Sequence, residues 1–284
     1  MAASDSQLQP TDSLCEEYVY PTMFGPAEVF ILQTEDGTPV RVLYVAGGFQ
    51  SATYLGAQAY EPVFAYYRAL DCVFLTDRPI DRMLVIGGGA FSYPKHLLAS
   101  KPQVNIDVVE IDPAIVGIAR EHFFLDDAIR KYGTDQAGNT RLGIFVQDGA
   151  EYLAQSPGSI YDVIINDSFD GVDPTASLLS HATLIEAKRA LREGGIYLIN
   201  AIAQNKEEAA PFAQALRKAF AHVYLYPCPD DDFAGSCNNL ILASEHPIDL
   251  EGTIALWDQP QLASPRRPSR KREVTSQLYA ITCR

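Results

Sequence analysis

No apolar run in the 284 residues is long enough to cross a bilayer, which takes about 20 consecutive apolar residues, so no membrane span is expected. Basic residues are scarce: 22 Lys and Arg stand against 36 Asp and Glu, a formal net charge of -14. That balance argues against nucleic-acid binding and suits a small cationic or neutral substrate. The five cysteines (Cys15, Cys72, Cys228, Cys237 and Cys283) are odd in number and widely spaced, with no C-x-x-C pair and no neighbouring histidine. They read as reduced thiols, and no metal site is expected. Met1 to Glu17 has neither a basic segment nor an apolar core, so it does not read as a signal peptide. Together these absences place the protein in the cytoplasm.

What is present is 47% hydrophobic residues, enough for one large core and a smaller module. Residues 1–17 read as a flexible tail. Between 18 and 56, two short β-prone runs (Glu28 to Gln33, Val40 to Val45) are separated by Glu-Asp-Gly-Thr and closed by Gly47-Gly48, the pattern of a small β-hairpin module. From 57 to 81, Tyr60, Val63, Phe64, Tyr67 and Leu70 recur at helical spacing, which predicts a connecting helix and linker. From 82 to 245 strand patterns alternate with helix patterns, implying a largely parallel sheet. Residues 246–284 form a C-terminal extension whose Arg266, Arg267, Arg270, Lys271 and Arg272 make a basic run in an acidic protein. Such a run is usually solvated; a docking arm and a clamp on the acidic body are the sharper readings.

The chemistry gathers at the strand ends. Met83 to Ile86 is an apolar strand that runs into Gly87, Gly88 and Gly89, and a helical pattern follows from about Tyr93. A turn that tight, open to a ligand at its amides, takes residues without side chains. The next strand, Ile106 to Ile111, carries Glu110 at its end, where a doubly wound sheet presents an acid to ribose hydroxyls. Two further strands run into Asp148-Gly149 and into Asp167-Ser-Phe-Asp170. Read alone, the first is a turn and the second a helix cap. At four successive strand ends, glycine and carboxylate converge on one edge of the sheet.

On these residues the chain resembles the spermidine synthase (polyamine aminopropyltransferase) family and its S-adenosylmethionine-dependent methyltransferase relatives, over roughly residues 28–245. The resemblance implies an α/β fold: a Rossmann-like, seven-stranded class I S-adenosylmethionine-dependent transferase sheet with a small N-terminal β module. It implies S-adenosylmethionine or its decarboxylated form as co-substrate, a small amine as acceptor, and a homodimer built partly through the β module. Donor-binding roles carry over to Gln50, Gly87, Gly88, Gly89, Glu110, Ile111, Asp148, Gly149 and Asp167. Substrate-binding roles carry over to Tyr60 and Glu61, which look like the family's donor-side helix, and to Asp170 and Pro174, and catalysis to Asp167 and Asp170.

The chain also departs from that pattern. The family's aspartate after the glycine triplet, which binds the donor's ammonium, is here Ala90. The acceptor loop is replaced by Pro227 to Gly235 and the tryptophan after the fifth strand by Ala201 to Asn205. Loss of a carboxylate at position 90 removes a repulsion towards the carboxylate of intact S-adenosylmethionine. Amine alkylation is therefore expected, with methyl transfer slightly favoured over aminopropyl transfer. An idle paralogue that binds nucleoside or protein is the alternative of another class. A nicotinamide oxidoreductase is disfavoured because Ser92 stands where its third glycine belongs.

Overall fold

Residues 17–34, 36–170, 173–203, 206–228 and 238–258 are described by the computed structural model. The N-terminal module is an antiparallel meander of four strands: β1 (Tyr18–Thr22), β2 (Gly25–Gln33), β3 (Pro39–Val45) and β4 (Gly48–Tyr54). The two-residue turn between β3 and β4 consists of Ala46 (φ 52°) and Gly47 (φ 87°), and two successive positive φ values match the right-handed twist of the flanking strands.

The predicted connecting helix is broken into pieces. A 3-10 turn (Gly56–Gln58) is followed by the short helix α1 (Ala65–Ala69) and a second 3-10 stretch, Leu70–Leu75. Pro62 holds Glu61 out of helical geometry, so the apolar spacing is distributed over two short segments.

The main sheet holds the seven strands expected: β5 (Arg82–Ile86), β6 (Asn105–Glu110), β7 (Leu142–Val146), β8 (Tyr161–Asn166), β11 (Leu191–Ile202), β12 (His222–Pro227) and β13 (Asn238–Ser244). Between β8 and β11 the two-residue strands β9 (Phe169–Asp170) and β10 (Asp173–Pro174) pair with each other. The last strand, β14 (Ile254–Asp258), pairs antiparallel with β12 and adds an eighth strand from the stretch read as C-terminal extension. The order is β14-β12-β13-β11-β8-β5-β6-β7, with β11, β8, β5, β6 and β7 parallel.

Helices cover both faces. They are α2 (Ser92–Ser100), α3 (Pro113–His122), α4 (Leu125–Tyr132), α5 (Gly149–Gln155), α6 (His181–Ala190) and α7 (Lys206–Leu216). The strands read as near-continuous apolar runs because successive residues feed opposite cores. Met83, Val85, Val163 and Ile165 join the core shared with the β module, whereas Leu84, Ile86, Ile164 and Ile199 join the other. The module is tied down by its own core of Ala27, Val29, Leu43 and Val45 against Ile115 and Ile118 of α3, and by the Met23 amide, which donates to Asp112 Oδ2 at 2.6 Å. These contacts close the module over the carboxyl ends of the parallel strands.

Candidate active site

A cavity of about 650 Å³ lies between the β module and those strand ends. Gly87 makes the first strand end possible. Its φ is +92°, and a Cβ there would lie 2.8 Å from the carbonyl carbon of Asp167, so only glycine lets the end of β5 pass the end of β8. The loop is then held by Glu110, whose Oε2 accepts from the amides of Gly88 (2.9 Å) and Gly89 (3.2 Å), and whose Oε1 accepts from Asp112 N (3.0 Å). Burial pushes the Glu110 carboxyl up from its ordinary value, and these three amides oppose it.

Asp148 caps α5, its Oδ1 accepting from Ala150 N (2.8 Å) and Glu151 N (3.0 Å). Cap and cavity wall are the same residue here. Gly149 follows because a Cβ would stand 2.5 Å from Ile86 Cγ2. Gln50, Gly87, Gly89, Glu110, Ile111, Asp148, Gly149 and Asp167 all line the cavity. Gly88 turns away from it, with Phe91 against the place of its absent side chain.

Asp167, just past β8, lies on the cavity wall. Its Oδ1 accepts from Asn200 Nδ2 on β11 (2.9 Å) and its Oδ2 from the hydroxyl of Tyr66 on α1 (3.4 Å). Desolvation pushes its carboxyl up to about 7, against the pull of those two donors. It is therefore a carboxyl poised to exchange a proton near neutrality. The phenols of Tyr66 and Tyr67 are held well above their ordinary range, first by burial and then by the charge of Asp167, so both remain neutral hydroxyls.

Phe64, Tyr66 and Tyr67 make an aromatic wall; the ring centroids of Phe64 and Tyr67 lie 5.9 Å apart, and those of Tyr66 and Tyr67 4.2 Å. Phe24, Tyr44, Phe49 and Phe169 add to the lining, and among the described residues no lysine or arginine does. Such a surface favours cations, through ring faces and carboxylates alike.

Three expectations are corrected. Tyr60 and Glu61 do not reach the cavity. The Tyr60 hydroxyl donates to Asp127 and accepts from Lys131 Nζ at 3.2 Å, both on α4, while Glu61 is exposed. The helix side that reaches the site is Tyr66-Tyr67, whose spacing reads equally well as core. Pro174 is buried in the β9–β10 ladder and does not line the cavity. Ala90 points into the apolar core of Ala27, Val29 and Phe123, with no exposed surface, and its amide donates to Ser51 Oγ at 3.0 Å. The donor preference drawn from its side chain thus loses its geometric footing. The backbone of Asp170 pairs with Asp173, whereas its side chain, the loop 229–237 and the basic run 266–272 lie outside the described residues.

Sequence reasoning missed Asn200, Tyr66, Tyr67 and Ser51. A polar Asn200 directly after the apolar run 196–199 was the signal available. Among the described residues, no group of His, Cys, Asp and Glu could hold a metal, and no helix is long and apolar enough to cross a membrane.

The fold and the site can be set beside known proteins. The chain is 28% identical to the polyamine aminopropyltransferase of Vibrio vulnificus over 225 residues, covering 77% of this chain and 68% of that one. It is 30% identical to that of Prochlorococcus marinus over 117 residues; the match spans 41% of this chain and only 38% of the relative's length. The crystal structure of a probable spermidine synthase from Corynebacterium glutamicum superposes with a TM-score of 0.63 at 20% identity, covering 81% of this chain and 80% of the other, which is a likeness of fold. The spermine/spermidine synthase domain model matches residues 63–251, more than half of the chain. From β5 through β13, and with the glycine turn and the acidic strand ends in their places, the chain belongs to the spermine/spermidine synthase family.

Proposed function

We propose that the protein transfers an aminopropyl group from decarboxylated S-adenosylmethionine to a small amine. The observation that carries this reading is Asp167, a carboxylate held at about 7 in an aromatic, acid-lined cavity. Family membership and the curated relatives, both polyamine aminopropyltransferases, support aminopropyl rather than methyl transfer.

In the reaction the lone pair of the acceptor nitrogen attacks the propyl carbon bonded to the sulfonium. The carbon–sulfur bond breaks, its electron pair stays on sulfur, and neutral 5′-methylthioadenosine leaves. The positive charge on sulfur already activates the leaving group, so the protein's work is to align the amine, keep it unprotonated at attack and exclude water. Asp167 accepts the proton that the nitrogen loses. Tyr66 and Tyr67 line the cavity beside Asp167, and the Tyr66 hydroxyl donates to it. Glu110 takes the ribose: its two oxygens provide about four acceptor positions, of which the loop amides occupy three. Gln50, Ile111 and Asp148-Gly149 complete the donor side. Asp170 anchors a second cationic end of the acceptor, a role that rests on its spacing from Asp167. Exposed Tyr18, Val19 and Met23 on the β1–β2 hairpin support a homodimer formed through the module.

The test is to incubate the purified protein with 1,4-diaminobutane and either donor, and to identify the nucleoside product. Formation of 5′-methylthioadenosine supports the proposal. Release of S-adenosylhomocysteine from the intact donor instead would make the protein a methyltransferase, and no product with binding alone would make it an idle paralogue.

A further inference from the structure

Asn200 lies on β11 beside Leu240 of β13, with 2% of its surface exposed. Its register is that of Ile196 and Leu198, both buried in the apolar core on that face of the sheet, so an amide interrupts a row of aliphatic residues. One end of the amide is engaged, with Nδ2 donating to Asp167 Oδ1 at 2.9 Å. The other end, Oδ1, is buried and has no hydrogen-bond partner among the described residues. An unsatisfied buried carbonyl destabilises the fold that contains it. An amide kept for packing or for sheet cohesion would turn both ends to partners; this one leaves its carbonyl unmet and delivers its N–H to a single carboxylate. Local rules are broken in this way mainly where function demands it.

We infer that Asn200 is a positioning residue: its amide fixes the carboxylate of Asp167 that faces the acceptor nitrogen and favours its ionised form. The inference rests on the transferase reading for its catalytic consequence, though not for its electrostatic one. Asp167 needs such a partner because little else around it stabilises its charge. From α1 it is faced by the neutral phenols of Tyr66 and Tyr67, of which only Tyr66 donates to it, over 3.4 Å. The remaining charged groups of the cavity are Glu110 at the end of β6 and Asp148 beyond β7, both acidic, and no lysine or arginine lines it among the described residues. Ser168, Phe169 and Gly87 are uncharged. The Asn200 N–H is thus the shorter of the two bonds opposing desolvation.

The experiment replaces Asn200 with Leu, which keeps the branched shape at a larger volume and removes the donor, and in parallel with Ser, which leaves less bulk should Asn200→Leu fold poorly. Two readouts are taken. The first is the titration of the Asp167 carboxyl by 13C NMR of labelled aspartate, assigned by its loss in Asp167→Asn. The second is the pH profile of kcat/KM, with donor affinity measured by calorimetry. Losing a hydrogen bond to a charged group is expected to move the Asp167 titration and the acid limb of the profile upward by about one pH unit, roughly tenfold in the equilibrium. Donor affinity stays within about twofold, because Asn200 is not part of the donor side. Activity lost near neutrality returns at higher pH, which a merely structural defect would not produce. A titration unmoved in both variants, or activity depressed equally at every pH, overturns the inference. A shifted titration in a protein that forms no product with any amine leaves the positioning role standing and removes the transferase reading instead.

Discussion

The hydroxyl of Tyr66 donates to Asp167 Oδ2 across 3.4 Å, joining α1 to the end of β8 over 101 residues of sequence. Tyr66 remains a neutral donor because burial and the neighbouring charge hold its phenol well above its ordinary range. Tyr66→Phe keeps the aromatic wall and removes one long hydrogen bond. Turnover is expected to fall by about threefold to tenfold, in line with about 0.5 to 1.5 kcal/mol for such a bond. Steady-state kinetics checks it, and an unchanged kcat would make the contact incidental.

Asp167→Asn retains the shape and abolishes proton acceptance. Turnover is expected to drop by about 10²- to 10⁴-fold, the usual contribution of a positioned base, while donor affinity by calorimetry changes little. Activity equal to that of the unaltered protein would remove Asp167 from the chemistry.

The pH dependence follows from the sign of the Asp167 shift. Its carboxyl is raised from 3.8 to about 7, so below neutrality it is protonated and unable to accept the amine's proton. The acid limb of kcat/KM should therefore rise about tenfold per pH unit and level off above about 7. For stability the sign is opposite. Between 3.8 and about 7 the folded state holds a proton that the unfolded state has released, so this group's contribution falls as pH rises through that window. An acid limb centred near pH 4 would show that the Asp167 carboxyl keeps its ordinary value in the free enzyme, and a limb unchanged in Asp167→Asn would show that another group is the titrating base.

Gly87 and Glu110 test the donor side separately. Gly87→Ala places a Cβ against the Asp167 backbone at φ +92°, so both a lower melting temperature and loss of donor binding are expected. Glu110→Gln turns an NH2 towards amides from which a carboxylate oxygen now accepts, so it should lower the melting temperature and weaken donor binding by about 1 to 3 kcal/mol, the range for losing a charged hydrogen-bond partner. Full affinity in Glu110→Gln would mean that the ribose lies elsewhere.

Lys95 on α2 is buried among Thr53 of β4, whose Oγ1 it approaches at 3.3 Å, and the Phe123 carbonyl, to which it also donates. Desolvation lowers its ammonium from 10.5 to about 7. In the window between 7 and 10.5 the unfolded chain binds the proton and the folded chain does not, so this contribution to stability rises with pH across it. Lys95→Met is expected to raise the melting temperature at pH 6, with the gain narrowing by pH 9; a gain independent of pH would show that the ammonium is not the cause.

Much of the fold was legible because it is written in local pattern. Apolar runs of strand length, the glycines after β5 and the acids after β6, β7 and β8 each follow from nearest-neighbour chemistry, and all were placed correctly at the carboxyl edge of the sheet. The connecting helix was misread because helical spacing does not register the interruption at Pro62. Strand β14 went unnoticed because five residues carry too little periodicity to stand apart from a loop.

The site divides along the same line. By itself the sequence determined that glycine and carboxylate would meet along one edge, since strand period and turn chemistry act over a few residues. It could not say which aromatic residues close the cavity, which way Ala90 points, or that Asn200 and Tyr66 would both reach Asp167. Those depend on how the β module and α1 pack onto the parallel strands, and Tyr60 and Tyr66, six residues apart, end on different surfaces. Side-chain direction and desolvation are set by contacts between distant segments, and only the tertiary structure turned Asp167 from an acidic strand end into a carboxyl poised near neutrality.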